Sequence, residues 1–190
     1  GGIEDADRPE KISIKLPPDV KLEDAPKGKS ISSLLRDGAI DGFIAPRPPS
    51  LPKDTPNIGW LFPDPVAAAK DYFKRTGIFP IMHLVGVRRT LAEKHPWLPG
   101  AVFKAFEQAK KVAVDQLSDT SATKVTLPFI EERLSEARAL MGEDFWSYGV
   151  TANRKTLESF LHHHHSQGLS SRLVTVEEMF HPGTLETYKL

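Results

Sequence analysis

A proline-rich stretch between residues 46 and 65 sets the strongest limit on how this 190-residue chain can fold. Residues 45–56 read Ala-Pro-Arg-Pro-Pro-Ser-Leu-Pro-Lys-Asp-Thr-Pro. Such a run holds an extended path, because proline fixes φ and cannot donate a ladder hydrogen bond, so it disfavours both a helix and a central strand. We therefore predict that residues 47–63 connect two packed segments, residues 1–46 and residues 64–190.

The composition is that of an ordinary globular protein, with 39% hydrophobic and 26% charged residues. Lys+Arg and Asp+Glu balance at 25 each, so charge gives no reason to expect nucleic acid or a membrane surface as partner. The absence of cysteine excludes disulfides, thiolate nucleophiles and Cys-based zinc sites. The sequence begins Gly-Gly-Ile, with neither an initiator Met nor a signal sequence. We expect a cytoplasmic protein, although this start leaves a signal peptide open.

Before the connector, the pattern indicates a small α/β layer. Residues 11–16 alternate apolar and polar side chains and predict a half-buried strand. Ser30 can cap a short helix over residues 31–36, which Gly38 would end. The apolar residues 39–45 predict a second strand. Strand, helix and strand with short joints predict an α/β fold with partly parallel pairing.

After the connector, one strand and several helices are predicted. Pro65 after an aspartate is a helix start and Gly77 a helix stop, while residues 81–88 predict a strand. The remainder is helical in pattern. Capping boxes open short helices at Thr90 and Thr175, a long helix starts near Pro99, and further apolar faces are lined by Ile130, Leu134, Ala137 and Met141, and by Leu157, Phe160, Leu161 and His164.

His83 lies in the middle of the apolar segment at residues 81–88. An imidazole titrates near neutral pH, so it can act as a general acid. On a strand, His83 would share a face with Ile81 and Val85; alternatively, because Pro80 cannot donate a ladder bond, it lies just before the strand, at a crossover. The competing interpretation is a histidine whose ring nitrogens only hold backbone in place, and the residues alone leave this open.

Arg47 and the turn Arg75-Thr76-Gly77 are the candidates for holding a carboxylate. Arg47 directly follows a predicted strand end, where ligands bind in α/β sheets, and a guanidinium donates two parallel hydrogen bonds to a carboxylate. The turn offers a cation, a hydroxyl and backbone N–H groups. The competing interpretations are an exposed loop arginine and a helix end stabilised by Arg75 and closed by Gly77.

Other chemistry finds little support in the sequence. Residues 162–165 are four histidines on a predicted helix, and His162 and His165 lie one turn apart, where they could chelate an adventitious transition metal. No carboxylate or further histidine nearby completes a site, so we predict a solvated helix face and no metal. There is no Gly-rich phosphate loop, Gly-x-Ser-x-Gly elbow or His-Glu-x-x-His motif, so nucleotide and common hydrolase functions are unsupported.

Several blocks together resemble the 4,5-dihydroxyphthalate decarboxylase family. The most specific is Arg-Thr-Gly-Ile-Phe-Pro-Ile-Met-His at residues 75–83. The others are Gly-Ile-Glu at 2–4, Arg-Pro-Glu-Lys at 8–11, Asp-Gly-Phe-Ile-Ala-Pro-Arg at 41–47, Leu-Phe-Pro-Asp at 61–64, His-Pro-Trp at 95–97, and tail blocks at 167–170 and 177–180. The resemblance covers essentially the whole chain.

The resemblance implies an α/β fold like that of the type II periplasmic binding proteins, in which two lobes joined by crossover strands hold the ligand between them. It also implies that the chain is the C-terminal portion of a longer protein. Residues 1–46 would belong to the second lobe, residues 47–63 would cross over, and residues 64–190 would return to the first lobe and add the C-terminal helices. We expect this portion alone to be inactive.

The function implied by the resemblance is conversion of 4,5-dihydroxyphthalate to protocatechuate and CO2, in phthalate degradation. Arg47, Arg75, Thr76 and Gly77 would bind the substrate carboxylates, and His83 would be the catalytic acid. No cofactor is expected, because the phenol of the substrate takes the part of the electron sink that an organic cofactor would otherwise play. The alternative is a solute-binding module of the same fold for a small carboxylate. The expected partner is a small aromatic carboxylate, with no nucleic acid or membrane, and homo-oligomers remain open.

Overall fold

The computed structural model describes residues 2–8, 15–121 and 124–186. Contacts divide the chain into two compact units, Gly1–Pro65 with Gln167–Leu169, and Val66–Ser166 with Ser170–Leu190. Seven α-helices and one 3-10 helix lie in the described ranges, and no residue in those ranges lies in a β-strand.

The α/β class expected from the sequence, and with it the type II periplasmic-binding-protein-like fold, is therefore wrong. Residues 39–45 and 81–88 run outside regular structure, and residues 81–87 make no backbone–backbone hydrogen bond with any described residue. A strand exists only through hydrogen bonds to a neighbouring strand, so apolar patterning alone does not create one. The predicted strand at 11–16 falls mainly on residues 11–14, outside the described ranges, and residues 15–16 belong to no element.

The first unit is built around the short helix α1, Ile31–Arg36, with Ser30 as its predicted cap. Ser30 and Ser33 form a reciprocal capping box, in which each side chain accepts from the other residue's backbone N–H. The carbonyls of Gly2 and Ile3 accept the N–H groups of Ile31 and Ser32 at 3.1 and 3.0 Å. The first turn of a helix leaves its N–H groups unpaired, so these contacts fix the start of α1.

Glu4 ties α1 to the proline-rich stretch. Its Oε1 accepts a hydrogen bond of 2.7 Å from the backbone N–H of Ser50 and one of 2.8 Å from the buried hydroxyl of Ser32. The Ser50 N–H and then the Ser32 hydroxyl hold the pKa of Glu4 below its ordinary value, because both bonds favour the ionised carboxylate. Within this unit the proline-rich stretch is therefore anchored rather than a bare connector.

The second unit carries six helices: α2 Pro65–Thr76, α3 Arg89–Lys94, α4 Leu98–Ser118, α5 Ile130–Met141, α6 Val150–Ser166 and α7 Val176–Met179, followed by a 3-10 helix at Pro182–Thr184. Pro65 itself is assigned to the first unit, so α2 starts at the point where the first unit passes into the second. Helix α4 packs against α3, α5 and the 3-10 helix, and α6 packs against α7. An ion pair between Lys70 and Glu136 joins α2 to α5.

The core of the second unit is small. Val150, Leu157 and Leu161 of α6 meet Val176 of α7, and Val174, Phe180 and Leu185 pack around them. Of the predicted apolar face of α6, Leu157 and Leu161 are confirmed as buried, whereas Phe160 is 57% exposed and His164 is only partly buried. Thr175 forms the predicted capping box with Glu178, and this box positions Val176, which is 2% exposed, over α6.

Most helix ends lie where the sequence predicts them, whereas the burial of the side chains is predicted less well. Helix α2 begins at Pro65 and ends at Thr76 before Gly77, as predicted, yet it has no buried residue and its apolar Val66 is exposed. The predicted capping box at Thr90 is wrong, because α3 already begins at Arg89. Proline and glycine act locally, while burial needs a neighbour.

Large apolar side chains remain exposed throughout the second unit. Those more than half exposed are Val66, Met82, Leu84, Val85, Trp97, Val112, Leu127, Phe129, Trp146, Phe160 and Leu173. Exposed apolar patches of this kind mark surfaces that bind ligands or other polypeptide. None of the helices in the described ranges combines the length and the apolar composition that crossing a membrane requires.

Candidate functional site

The turn at residues 75–77 is the C-terminal end of α2. Gly77 has φ of +65°, in the left-handed region where glycine carries no side-chain strain, and its N–H donates to the Phe73 carbonyl at 2.6 Å. The Thr76 hydroxyl donates to the Tyr72 carbonyl at 2.7 Å and accepts from the Ile78 N–H at 3.1 Å. The N–H groups of the turn, which the sequence analysis offered to a ligand, are therefore already used within the chain.

The charges at this helix end are partly engaged as well. The Nε of Arg75 donates to Asp71 at 2.8 Å, one helical turn earlier, and both side chains are well exposed. The ammonium of Lys155 on α6 donates to the Thr76 carbonyl. Cations beside the carbonyls of a helix end stabilise it through the helix dipole. This geometry is that of a stabilised helix terminus. The Arg75 side chain is 65% exposed, and its carboxylate-binding role stays a prediction.

His83 lies in the exposed segment that follows. Its side chain makes no hydrogen bond or ion pair with the described part of the chain, and its neighbour Met82 is 79% exposed. The imidazole is consequently not a core histidine that holds backbone in place within these residues. Its role as the catalytic acid stays a prediction.

Arg47 belongs to the first unit, whereas Arg75, Thr76, Gly77 and His83 belong to the second. It lies in a bend of the proline-rich stretch and is exposed, with no ion pair among the described residues. Residues 75–83 form one continuous segment within the second unit, and a joint site with Arg47 stays a prediction.

A groove of about 380 Å³ in the second unit adds residues that the sequence analysis did not single out. It is open at the surface, and six of its nine lining residues are charged. Its lining comes from α4 and from the loop after α5: Glu107, Lys110, Lys111, Val114, Asp115, Glu143, Asp144, Phe145 and Trp146.

Trp146 connects this groove to the family-specific block. The ring of Phe79 packs edge-on against the Trp146 ring, with centroids 5.6 Å apart and planes at 64°. This arrangement places the positive edge of one ring against the negative face of the other. Trp146 keeps 52% of its surface exposed. The groove therefore adjoins the segment that carries His83 in the sequence.

Lys110 is the most buried charged side chain of the groove, with 12% of its side chain exposed. Its ammonium lies 3.1 Å from a carboxylate oxygen of Glu107 and 3.1 Å from one of Asp144, and 4.9 Å from the centre of the Tyr148 ring. Burial alone would lower the pKa of Lys110, but the hydrogen bonds to Asp144 and Glu107 raise it above its ordinary value. Lys110 therefore keeps its positive charge near neutral pH.

The remaining charges of the groove are also paired. Lys111 donates to Asp115 at 2.7 Å, and Arg138 lies 3.2 Å from Glu143. Sequence reasoning missed the groove because its two walls lie more than thirty residues apart, as the Lys110–Asp144 bond shows. The one local signal was the three-residue spacing of Glu107 and Lys110 on a predicted helix.

The histidines at 162–165 form the last turn of α6. His165 Nδ1 lies 3.2 Å from the Ser170 carbonyl, and the rings of His162 and His163 are 5.7 Å apart. Within the described ranges no three His, Asp or Glu side chains gather closely enough to hold a metal ion.

Comparison with known proteins supports the resemblance found in the motifs. The chain is 56% identical over 191 residues to a protein of Comamonas testosteroni named 4,5-dihydroxyphthalate decarboxylase, a match that covers 100% of this chain and 58% of that protein. It is also 41% identical over 75 residues, or 39% of its length, to a protein of the same name from Pseudomonas putida, of which it covers 29%. No protein-family model matches the chain.

The resemblance is thereby confirmed: over its whole length this chain is a relative of the 4,5-dihydroxyphthalate decarboxylases. It spans 58% of the length of the Comamonas testosteroni protein. What that whole protein does is therefore carried to this chain below as a proposal.

Proposed function

We propose that the protein containing this chain decarboxylates 4,5-dihydroxyphthalate to protocatechuate and CO2. The observation that carries the proposal is the 56% identity that extends over 100% of the chain. The match includes the block at residues 75–83, which holds the proposed catalytic histidine. Function in aromatic catabolism and a cytoplasmic location are part of the same proposal.

The substrate supports this chemistry without an added electron sink. Each ring carbon that bears a carboxylate is para to a hydroxyl group, so electron release from that hydroxyl lets the carbon accept a proton while the phenolic proton leaves to a base. The carbon–carboxylate bond then breaks, CO2 departs, and its bonding pair restores the aromatic ring, which regains the phenolic proton. The acid is reprotonated by water. One proton is consumed and one CO2 is released.

We propose His83 as the acid that protonates the ring carbon, and Arg47 and Arg75 as the cations that hold the carboxylates. The exposed imidazole of His83 and the exposed side chain of Arg75 support these roles, because both are accessible to a ligand. Thr76 and Gly77 fix the end of α2 and so position Arg75. A charge-assisted bond of this kind contributes about 1.5–3 kcal/mol.

The test measures turnover and binding separately in His83→Gln and in Arg47→Lys and Arg75→Lys. We expect His83→Gln to lose about a hundredfold or more in turnover while binding is retained, because a positioned acid contributes that much. We expect each lysine variant to bind the dicarboxylate more weakly, because lysine lacks the planar fork of arginine. Unchanged turnover in His83→Gln would remove its assignment, and unchanged binding in both lysine variants would remove theirs.

Turnover also separates an enzyme from a solute-binding module. Release of CO2 and protocatechuate by the longest natural form of the protein supports the proposal, whereas tight binding of the dicarboxylate without products supports a binding module.

The exposed apolar side chains of the second unit also support a proposal that the chain self-associates. Sedimentation across a range of concentrations tests it, and a monomer throughout would contradict it.

A further inference from the structure

We propose that the groove beside Trp146 binds the dihydroxylated edge of an aromatic ligand, with the ring stacked on the indole and the two adjacent hydroxyls donating to Asp144. The chemical class of ligand is an ortho-dihydroxybenzene. The inference takes its natural ligand from the proposed function, but it is argued from the groove and tested without turnover.

The charges of the groove decide which edge of the ligand fits. Four carboxylates line it, and three cations pair with them: Lys110 with Glu107 and Asp144, Lys111 with Asp115, and Arg138 with Glu143, which leaves one negative charge in excess. A further carboxylate entering the groove would meet an excess of negative charge at short range, which costs binding energy. A hydroxyl group brings a donor and no charge, so the groove accepts the hydroxyl edge of the ring and rejects the carboxylate edge.

Asp144 is the acceptor best placed for this edge. Its Oδ1 accepts from Lys110 at 3.1 Å, and its side chain is 63% exposed, so the carboxylate has lone pairs open to a ligand. The two adjacent hydroxyls of an ortho-diol can donate to the two oxygens of one carboxylate. The Lys110 ammonium donates to Glu107 and to Asp144 from the buried side, which leaves the exposed side of the Asp144 carboxylate open to a ligand donor.

Trp146 supplies the platform for the ring. Phe79 supports it edge-on at 5.6 Å, while half of the indole surface stays open. Offset stacking on an indole favours a flat aromatic ligand over an aliphatic diol. Because the hydroxyl edge points toward Asp144, the carboxylate edge of a dihydroxyphthalate points away from the groove.

The experiment uses two half-ligands, catechol and phthalate, with the full chain labelled with 15N at its tryptophan indoles. Trp146→Phe identifies the Trp146 signal. We expect catechol to shift that signal saturably and phthalate to leave it in place. We expect Asp144→Asn to weaken catechol binding by about tenfold or more, because a hydrogen bond to a charged acceptor is lost. Glu158→Gln, an exposed carboxylate of α6 paired with Arg154, is the matched control and should bind as wild type does.

Three results would overturn the inference: no catechol-dependent shift of the Trp146 signal, equal catechol affinity in Asp144→Asn and wild type, or a larger response to phthalate than to catechol. Asp144 is exposed and Lys110 keeps Glu107 as partner, so Asp144→Asn should fold, and a helical circular dichroism spectrum equal to that of the wild type is the check. Catechol binding at Trp146 in a protein that does not turn over 4,5-dihydroxyphthalate would refute the proposed function and leave this inference standing.

Discussion

Leu157→Ala should cost the second unit a large share of its stability. Leu157 is 6% exposed and belongs to a core in which Val150, Leu161 and Val176 are the other buried members. The substitution removes about three methylene equivalents, or about 2.4 kcal/mol at ~0.8 kcal/mol each. The cavity left behind adds to this, so we expect about 3 kcal/mol, within the ~2–5 kcal/mol range of such core substitutions. A whole domain is typically stable by only about 5–15 kcal/mol.

Urea denaturation followed by far-UV circular dichroism measures this loss. With a slope of about 2 kcal/mol per molar, the transition midpoint should fall by about 1.5 M. Phe160→Ala is the matched control, because it removes a larger side chain from the same helix at a position that is 57% exposed. We expect that variant to lose less than about 1 kcal/mol. If Phe160→Ala costs as much as Leu157→Ala, the core of this unit has been placed on the wrong face of α6.

Two further predictions concern the substitution of glycines by alanine and the loss of stability at low pH. Gly168→Ala should destabilise the chain more than Gly28→Ala. Both glycines have φ of +77°, but an added Cβ at Gly168 would collide with the Lys15 carbonyl, whereas Gly28 faces open space. Equal urea midpoints for the two variants would contradict this. The Arg172 guanidinium, and then the N–H of the capping residue, lower the pKa of Glu178 to about 2, so its stabilising contribution is complete above about pH 4.5 and is lost as pH falls toward 2. Glu178→Gln should flatten the pH dependence of the urea midpoint in that window, and an unchanged profile would contradict it.

Helix boundaries were predictable from the sequence because their causes are local. Ser30 caps α1, Pro65 opens α2 and Gly77 ends it through interactions within four residues along the chain. Strands were not predictable in this way. Residues 81–88 have the apolar composition of a strand. A strand also needs a neighbouring strand to pair with its N–H and C=O groups, and the described ranges contain none.

The candidate site likewise has one part that the sequence could predict and one part that it could not. The block at residues 75–83 could be found from the sequence, since it is one continuous segment and resembles a known family. The groove could not, because Lys110 on α4 and Asp144 after α5 become neighbours only through helix packing. Sequence reasoning also treated the backbone N–H groups of the turn at residues 75–77 as open to a ligand, whereas the Gly77 N–H donates to the carbonyl of Phe73.

Protocatechuate formed from 4,5-dihydroxyphthalate in D2O tests the central claim most directly. The longest natural form of the protein should release CO2 and produce protocatechuate that carries a single deuterium, at the ring carbon next to the surviving carboxylate, because the acid delivers a solvent-derived proton to the carbon that loses CO2. The His83→Gln variant should form this product about a hundredfold or more slowly. Binding of the dicarboxylate with no labelled product from the wild-type protein would contradict the account.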